Sequence, residues 1–357
     1  MTIDELKHFT RGAWYSRFLG HGAYYSDLER MLSRINKIED WYGEFTAMGA
    51  YHENLGDKAL AEGNQTTAGE AYFTASMYYQ WSHNHMQAPT LEKKREANSK
   101  SVQCYMKAAP YFVPPAERIE IPFENTTLPA YLRLPADVKK APCMILIDGW
   151  DSTKEENKTS SDAFLKRGVA TLNFDGPGQG EMAYRMSMRF DYEKAASAVV
   201  DYLTKRSEID PNRIGVMGGV LGGYYAVRSA AYDDRLKVCV WLGGEYDLSQ
   251  WDEHPVMHQR IFAFNMGAKT LAEAGEMAKK INLQGVVQKV KCPLLLVHGK
   301  AGSHANLSLV SHKHAERVAA EAKCETNLVL LENANHTGGN IPYVTTPLIT
   351  DWVRKRL

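Results

Sequence analysis

The stretch that most constrains this 357-residue chain is Ile214-Gly215-Val216-Met217-Gly218-Gly219-Val220-Leu221-Gly222-Gly223-Tyr224-Tyr225. An apolar run breaks into the glycines Gly218, Gly219, Gly222 and Gly223, then resumes at helical spacing through Tyr225, Ala226, Val227, Ala230 and Ala231. The pattern predicts strand, tight turn, helix. Such a frame is a nucleophile elbow, G-x-S-x-G, whose glycines let strand and helix pack closely while the central residue is strained at the helix N-terminus, side chain projecting. Here the central residue is Val220. Valine has no atom that can attack, so the frame stands without its nucleophile.

Charge and cysteine usage narrow the partners. Lys+Arg and Asp+Glu both count 42, giving a formal charge of zero with no basic stripe. Nucleic acid and anionic membrane are therefore not expected partners, because both need a cationic surplus. The residues from Met1 to Asn36 lack the layout of a signal peptide, and no apolar run approaches the ~18 residues that span a bilayer. The five cysteines, Cys104, Cys143, Cys239, Cys292 and Cys324, are odd in number and far apart. Buried free thiols in a reducing cytoplasm are expected.

From Gly12 to Phe112 apolar and aromatic residues recur at helical spacing, as in Trp14/Phe18, Leu28/Met31/Leu32, Trp41/Phe45/Met48, Tyr72/Ala75/Tyr78/Tyr79 and Val102/Tyr105/Met106. Four or five amphipathic helices are predicted, with breaks at Gly63-Asn64 and Ala88-Pro89. Most of the rings are expected to pack helix on helix. Tyr78, Tyr79 and His83, with Trp251 later in the chain, are candidates to line a pocket. After Pro114-Pro115 the periodicity changes. Glu117 to Phe123 and Leu128 to Leu134 flank Asn125-Thr126 as a hairpin. Apolar bursts follow at Cys143 to Ile147, Val169 to Phe174, Arg213 to Met217, Val238 to Leu242, Leu294 to Val297 and Asn327 to Leu331. Short strands alternating with helices imply a mainly parallel sheet covered on both faces. Residues 1–115 are read as an all-helical domain and 116–357 as an α/β core, with a helical insertion over about 246–288, where the spacing is too long for one crossover.

The landmarks now match a family. Ile147-Asp148-Gly149-Trp150, Phe174-Asp175-Gly176-Pro177-Gly178-Gln179-Gly180-Glu181, Asp210-Pro211-Asn212-Arg213-Ile214-Gly215, the elbow, Val297-His298-Gly299 and Asn335-His336 stand in the order and spacing of an α/β-hydrolase. The phrases Gly149-Trp150-Asp151-Ser152-Thr153-Lys154-Glu155-Glu156 and Asn340-Ile341-Pro342-Tyr343, after a helical N-terminal domain, narrow it further. The chain resembles the branch that holds the 2,6-dihydroxypseudooxynicotine hydrolase and the fungal yellowish-green pigment hydrolases, which cut carbon–carbon bonds in aromatic or polyketide ketones. The resemblance implies an α/β-hydrolase fold and a Ser-acid-His triad. This chain departs from the triad twice. Val220 stands at the serine position, and the run Lys300-Ala301-Gly302-Ser303-His304-Ala305-Asn306, where the family supplies its aspartate, contains no carboxylate. Gly302 and Ser303 are thus the degenerate acid positions, and His336 is the surviving member.

The oxyanion hole of this fold uses two backbone N–H groups, one from the residue after the nucleophile and one from the loop after the third strand. By position these are Leu221 and Trp150. A neutral imidazole with a pKa of ~6.5 is a competent base, so His336 plus the hole remains a working pair. Glu245 and Asp247 follow the strand Val238 to Leu242, and a His336–Glu245 or His336–Asp247 pair is expected to replace the lost aspartate. Base and hole without a nucleophile suit proton abstraction beside a ketone, leading to isomerisation, cyclisation or lyase chemistry, or attack of a His-activated water that cleaves a carbon–carbon bond. A covalent acyl-enzyme is excluded by Val220. The elbow residue normally has positive φ, costly for a β-branched side chain. Either the scaffold enforces the strain, or the elbow relaxes and the hole is lost.

The remaining signals read as structure. Asp175 to Glu181 is a tight turn with Asp175 bonding backbone, not a phosphate loop, since Pro177 removes a donor and no Lys-Ser/Thr follows. Lys154-Glu155-Glu156 starts a helix, its carboxylates near the positive end. His83/His85 and His312/His314 are two apart, so no metal is expected, and no cofactor. Two readings stay open: a cytoplasmic enzyme of secondary metabolism acting on a ketone-bearing aromatic or polyketide-like molecule, and a catalytically inactive pseudo-hydrolase that binds a small ligand. The helical domain and the 246–288 lobe are expected to close over the site from opposite sides, and a homodimer is compatible with either reading.

Overall fold

The apolar bursts become one eight-stranded sheet: β1 (Glu117–Phe123), β2 (Thr126–Arg133), β3 (Ala141–Ile147), β4 (Ala170–Phe174), β5 (Ile209–Gly219), β6 (Leu236–Leu242), β7 (Leu294–Gly299) and β8 (Thr326–Leu331), in the order β1-β2-β4-β3-β5-β6-β7-β8. β2 runs antiparallel to β4, and from β4 to β8 all neighbours are parallel. Successive side chains serve two cores. Cys143, Ile145, Ile147, Cys239, Trp241, Leu294 and Leu296 face one, and Met144, Leu146, Val238, Val240, Leu295 and Val297 the other. Because both faces are dry, these strands read as unbroken apolar runs rather than as alternation. β5 starts at Ile209, before the predicted Arg213, because Ile209 pairs with Ala141 ahead of a register shift. β2 starts at Thr126 because the hairpin turns tightly through Glu124, at φ 50°.

The computed structural model describes residues 2–84, 90–301 and 310–357, and the chain forms two compact units, Met1–Arg118 and Ile119–Leu357. The first contains α1 (Ile3–Phe9), α2 (Tyr15–Gly20), α3 (Tyr25–Arg34), α4 (Asp40–Ala61), α5 (Gln65–Asn84) and α6 (Leu91–Ala108). The predicted break at Gly63-Asn64 separates α4 from α5, with Gly63 at φ 81°. The break predicted at Ala88-Pro89 lies outside the described residues. α1 was not expected, although its signal is there: Glu5 N–H donates to Thr2 Oγ1 and Thr2 N–H to Glu5 Oε2, a capping box.

In the second unit α8 (Glu193–Leu203) and α9 (Leu221–Tyr232) cover one sheet face, and α7 (Lys158–Leu165) and α13 (Pro342–Arg354) the other. Between β6 and β7 the chain leaves the sheet to form a lobe with α10 (Val256–Met266) and α11 (Leu271–Ala278), while α12 (Lys313–Glu321) precedes β8. An antiparallel bridge closes the lobe at its neck, where Leu248 N–H donates to Ile281 O and Leu283 N–H to Tyr246 O. Among the described residues no helix is long and apolar enough to cross a membrane. All five cysteines are free thiols.

Candidate active site

The elbow has not relaxed. Val220 caps α9 at φ 54°, ψ −123°, the left-handed side that a β-branched residue avoids. Its N–H is tied to Leu242 O at 3.0 Å and its carbonyl to Gly223 N–H at 2.9 Å. Gly218 and Gly222 have no room for a side chain. A Cβ at Gly218 would lie 1.9 Å from Gly222 O, and one at Gly222 would lie 2.3 Å from Ile147 O, so α9 rests directly on the ends of β5 and β3. Strain of ~1–3 kcal/mol at Val220 is held in place by backbone packing.

The end of β3 brings the second donor alongside. A Cβ built on Gly149 would meet Val220 Cβ at 3.3 Å and Leu221 N at 3.8 Å, which puts the Gly149–Trp150 peptide beside the first turn of α9. Among the described residues neither the Trp150 nor the Leu221 N–H donates a hydrogen bond. The Leu221 N–H is an unspent donor at the N-terminus of α9, an end that favours negative charge. The Trp150 ring packs between His258 and Phe262 of α10, with centroids at 4.9 Å from each.

His336 enters from the loop between β8 and α13. Its carbonyl accepts from Gly299 N–H at 3.1 Å, and a Cβ at Gly243 would come within 2.4 Å of the same oxygen. Gly299 is as tight, with 1.9 Å from a built Cβ to Asn335 O. Asn340 Oδ1 accepts from Asn335 N–H, and Asn340 Nδ2 donates to Asn333 O. The loop is thereby fixed against the carboxyl ends of β6 and β7, where ligands of open α/β sheets bind.

The expected acid partners divide. Asp247 sits in the neck of the lobe, with Oδ1 accepting from Ser249 and Oδ2 paired with Arg317 at 3.2 Å. It is committed there and does not partner His336. Glu245 is buried, and its Oε2 has no hydrogen-bond partner. Burial, then repulsion from nearby Asp151, pushes its carboxyl up to about 8, so it is a neutral acid at pH 7. Among the described residues no hydrogen bond joins Glu245 to His336, so the expected His336–Glu245 pair is not formed as a direct contact. Sequence reasoning missed Asp151, whose charge acts on both Glu245 and His258. The His258 imidazole is pushed down by burial, against an opposing pull from Asp151.

The described pocket candidates pack inside their own units. Trp251 is buried inside the lobe, where a Cβ at Gly275 of α11 would lie 2.8 Å from its ring. Tyr78 is fully buried in the helical unit, with its hydroxyl on Asp27 Oδ2 at 3.1 Å beside the His52–Asp27 contact of 2.8 Å. Tyr79 donates to Glu53 at 3.1 Å and packs its ring against Gly49 of α4. His83 is buried on α5. Gly302 and Ser303 lie outside the described residues, as do His85 and His304.

Lys154-Glu155-Glu156 leads into α7, as expected. It forms a buried 3-10 turn, with Lys154 Nζ at 2.7 Å from Asp175 Oδ2, 2.8 Å from Glu155 Oε1 and 2.7 Å from Glu181 Oε2. Burial favours the neutral amine, but the three carboxylates outweigh it and hold the Lys154 pKa well above its ordinary value. Asp175 also accepts from the backbone N–H of Lys154 and of Glu181, as expected for the turn residue.

Comparison with known proteins gives this architecture its family. The esterase FrsA-like family model matches residues 35–302. This chain belongs to the FrsA-like esterase family. It is 33% identical to the 2,6-dihydropseudooxynicotine hydrolase of Paenarthrobacter nicotinovorans over 95% of this chain and 90% of that protein. The crystal structure of the 2,6-dihydroxy-pseudo-oxynicotine hydrolase superposes with a TM-score of 0.86 at 31% identity, covering 96% of this chain and 95% of that one. The 20-hydroxy-prefusarin hydrolase FUS2 of Gibberella moniliformis (strain M3125 / FGSC 7600) is 28% identical over 72% of this chain and 73% of its own length. The fold read from the sequence is therefore that of the family, an α/β-hydrolase with a helical N-terminal unit.

Proposed function

We propose that this protein is a cytoplasmic α/β-hydrolase-fold enzyme of secondary metabolism that cleaves or rearranges a ketone-bearing aromatic or polyketide-like molecule without an acyl-enzyme. The observation that supports the reading is the preserved elbow: Val220 at φ 54° starts α9 at Leu221, and a Cβ built on Gly149, the residue before Trp150, would lie 3.8 Å from the Leu221 nitrogen. A ketone oxygen gains negative charge when water adds to its carbon or when a proton leaves the neighbouring carbon, and both routes are served by the same two donors, the Leu221 and Trp150 N–H groups. In the hydrolytic route His336 takes a proton from water as the hydroxide adds to the carbonyl carbon. The oxyanion then collapses, the carbon–carbon bond breaks, and the departing carbanion takes the proton of neutral Glu245. The proton on His336 restores Glu245, leaving one carboxylic acid and one C–H product. The named relatives, hydrolases of 2,6-dihydropseudooxynicotine and of 20-hydroxy-prefusarin, support a small organic substrate.

The test is to incubate the protein and its His336→Ala variant with aromatic and polyketide-type ketones and with metabolite extract, following masses. Turnover that falls ~10²- to 10⁴-fold in the variant supports an acid–base enzyme. A gain of water identifies hydrolysis, and an unchanged mass identifies isomerisation or cyclisation. Val220, which leaves no nucleophile, favours a second reading, a ligand-binding pseudo-hydrolase. A compound retained unaltered by both proteins would establish it and refute the enzyme.

A further inference from the structure

Two side-chain amides lie on the two peptide units that flank Trp150. Gln179, buried in the Asp175 to Glu181 turn, donates through Nε2 to Asp148 O at 2.6 Å and to Gly149 O at 3.2 Å. Its own oxygen is fixed by Gly176 N–H at 3.0 Å and by the Tyr192 hydroxyl at 2.6 Å, which leaves the NH₂ aimed at the β3 end. Tyr192 is in turn locked by stacking on Tyr225, with centroids at 3.8 Å. On the other side Asn265 of α10 donates through Nδ2 to Trp150 O at 2.5 Å, and its backbone carbonyl accepts from Met188 N–H at 2.7 Å.

We propose that Gln179 and Asn265 are positioning residues that aim the Trp150 N–H into the oxyanion hole. The inference rests on the oxyanion-hole reading given above. In a trans peptide C=O and N–H point in opposite directions. With Gly149 C=O held on Gln179, the Trp150 N–H of the same plane must face the other way. With Trp150 C=O held on Asn265, the next peptide cannot rotate, so the plane is fixed from both ends. Without these bonds the peptide can flip and present a carbonyl oxygen where an anion must sit, and electrostatic catalysis depends on donors that need no reorganisation. The turn that sequence reading took as purely structural thus acquires a task, and Asn265 makes the lobe a partner in it.

The test combines structure with kinetics. Crystal structures of Gln179→Met and Asn265→Leu are expected to show the Gly149–Trp150 or Trp150–Asp151 peptide rotated from its present plane. With the metabolite found as above, kcat is expected to fall about 10²-fold with KM nearly unchanged, the scale of losing one oxyanion donor. A merely structural role would lower the melting temperature and leave kcat of the folded fraction intact. Unrotated peptides in both variants, or unaltered kcat in both, overturn the proposal. If the unmodified protein converts nothing, the catalytic reading fails and the peptide planes alone decide the clamp. Should Gln179→Met not fold, Asn265→Leu carries the same two measurements.

Discussion

Two groups of buried acids lie in the same α/β unit and differ in one respect. At the turn after β3, Asp175, Glu155 and Glu181 converge on the ammonium of Lys154, and that cluster underpins the loop that carries Trp150. Beyond β6, Glu245 has a second carboxylate, Asp151, as its charged neighbour among the described residues and leaves an oxygen unpartnered. Glu155 also leaves Oε2 unpartnered and is pushed up by burial, but an ammonium stands 2.8 Å from its other oxygen, and among the described residues no cation is paired with Glu245. Compensated buried charge reads as architecture, whereas a buried acid kept neutral by burial and a like charge is a poised proton donor.

The largest expected effect breaks the compensated side. Lys154→Met strands three carboxylates in a dry turn and should cost ~3–5 kcal/mol, measured by denaturant unfolding. A loss under ~1 kcal/mol would show that the ammonium is not the keystone. Next comes the uncompensated side. Because the Glu245 pKa is raised from 4.5 to about 8, the folded state binds the extra proton between those values. Wild-type stability should therefore fall as pH rises from 4.5 to about 8 and level off above it. Glu245→Gln should remove that slope, and parallel melting curves against pH for the two proteins would rule the poised acid out. A smaller gain is expected at the elbow, where Val220→Gly relieves positive-φ strain and should raise the melting temperature by about 2–4 °C, read by calorimetry. Asp247→Asn should do least. Its pair with half-exposed Arg317 is worth ~0–1 kcal/mol, and turnover should change less than about threefold, in contrast to Glu245. A collapse of turnover there would restore Asp247 as the histidine's partner.

Periodicity made much of the fold legible. The central bursts became strands because both-face burial leaves an apolar signature, as in β3, β4 and β7, and the Gly63-Asn64 break stood where φ turns positive. The elbow was legible because four glycines at that spacing have few other uses. Side-chain direction was not. Whether Glu245 or Asp247 points into the site depends on the turn through Gly243, at φ 55°, and on the bridge at the neck of the lobe, neither of which leaves a trace in composition. The burial of Lys154 left no mark in Lys-Glu-Glu-Asn-Lys, which is polar throughout. Its three acidic partners include Asp175 and Glu181 from a turn distant in sequence, and only tertiary pairing reveals the burial. Tyr78 and Tyr79 had the right chemistry for a pocket, but Asp27 and Glu53 claim their hydroxyls.

The carbonyl of His336 is wedged between Gly243 and Gly299, neither of which has space for a methyl group. In a saturation scan scored by turnover, these two glycines should rank beside the histidine itself, although neither carries a reacting atom. A map of intolerant positions would then outline the mould of the active site rather than its chemistry.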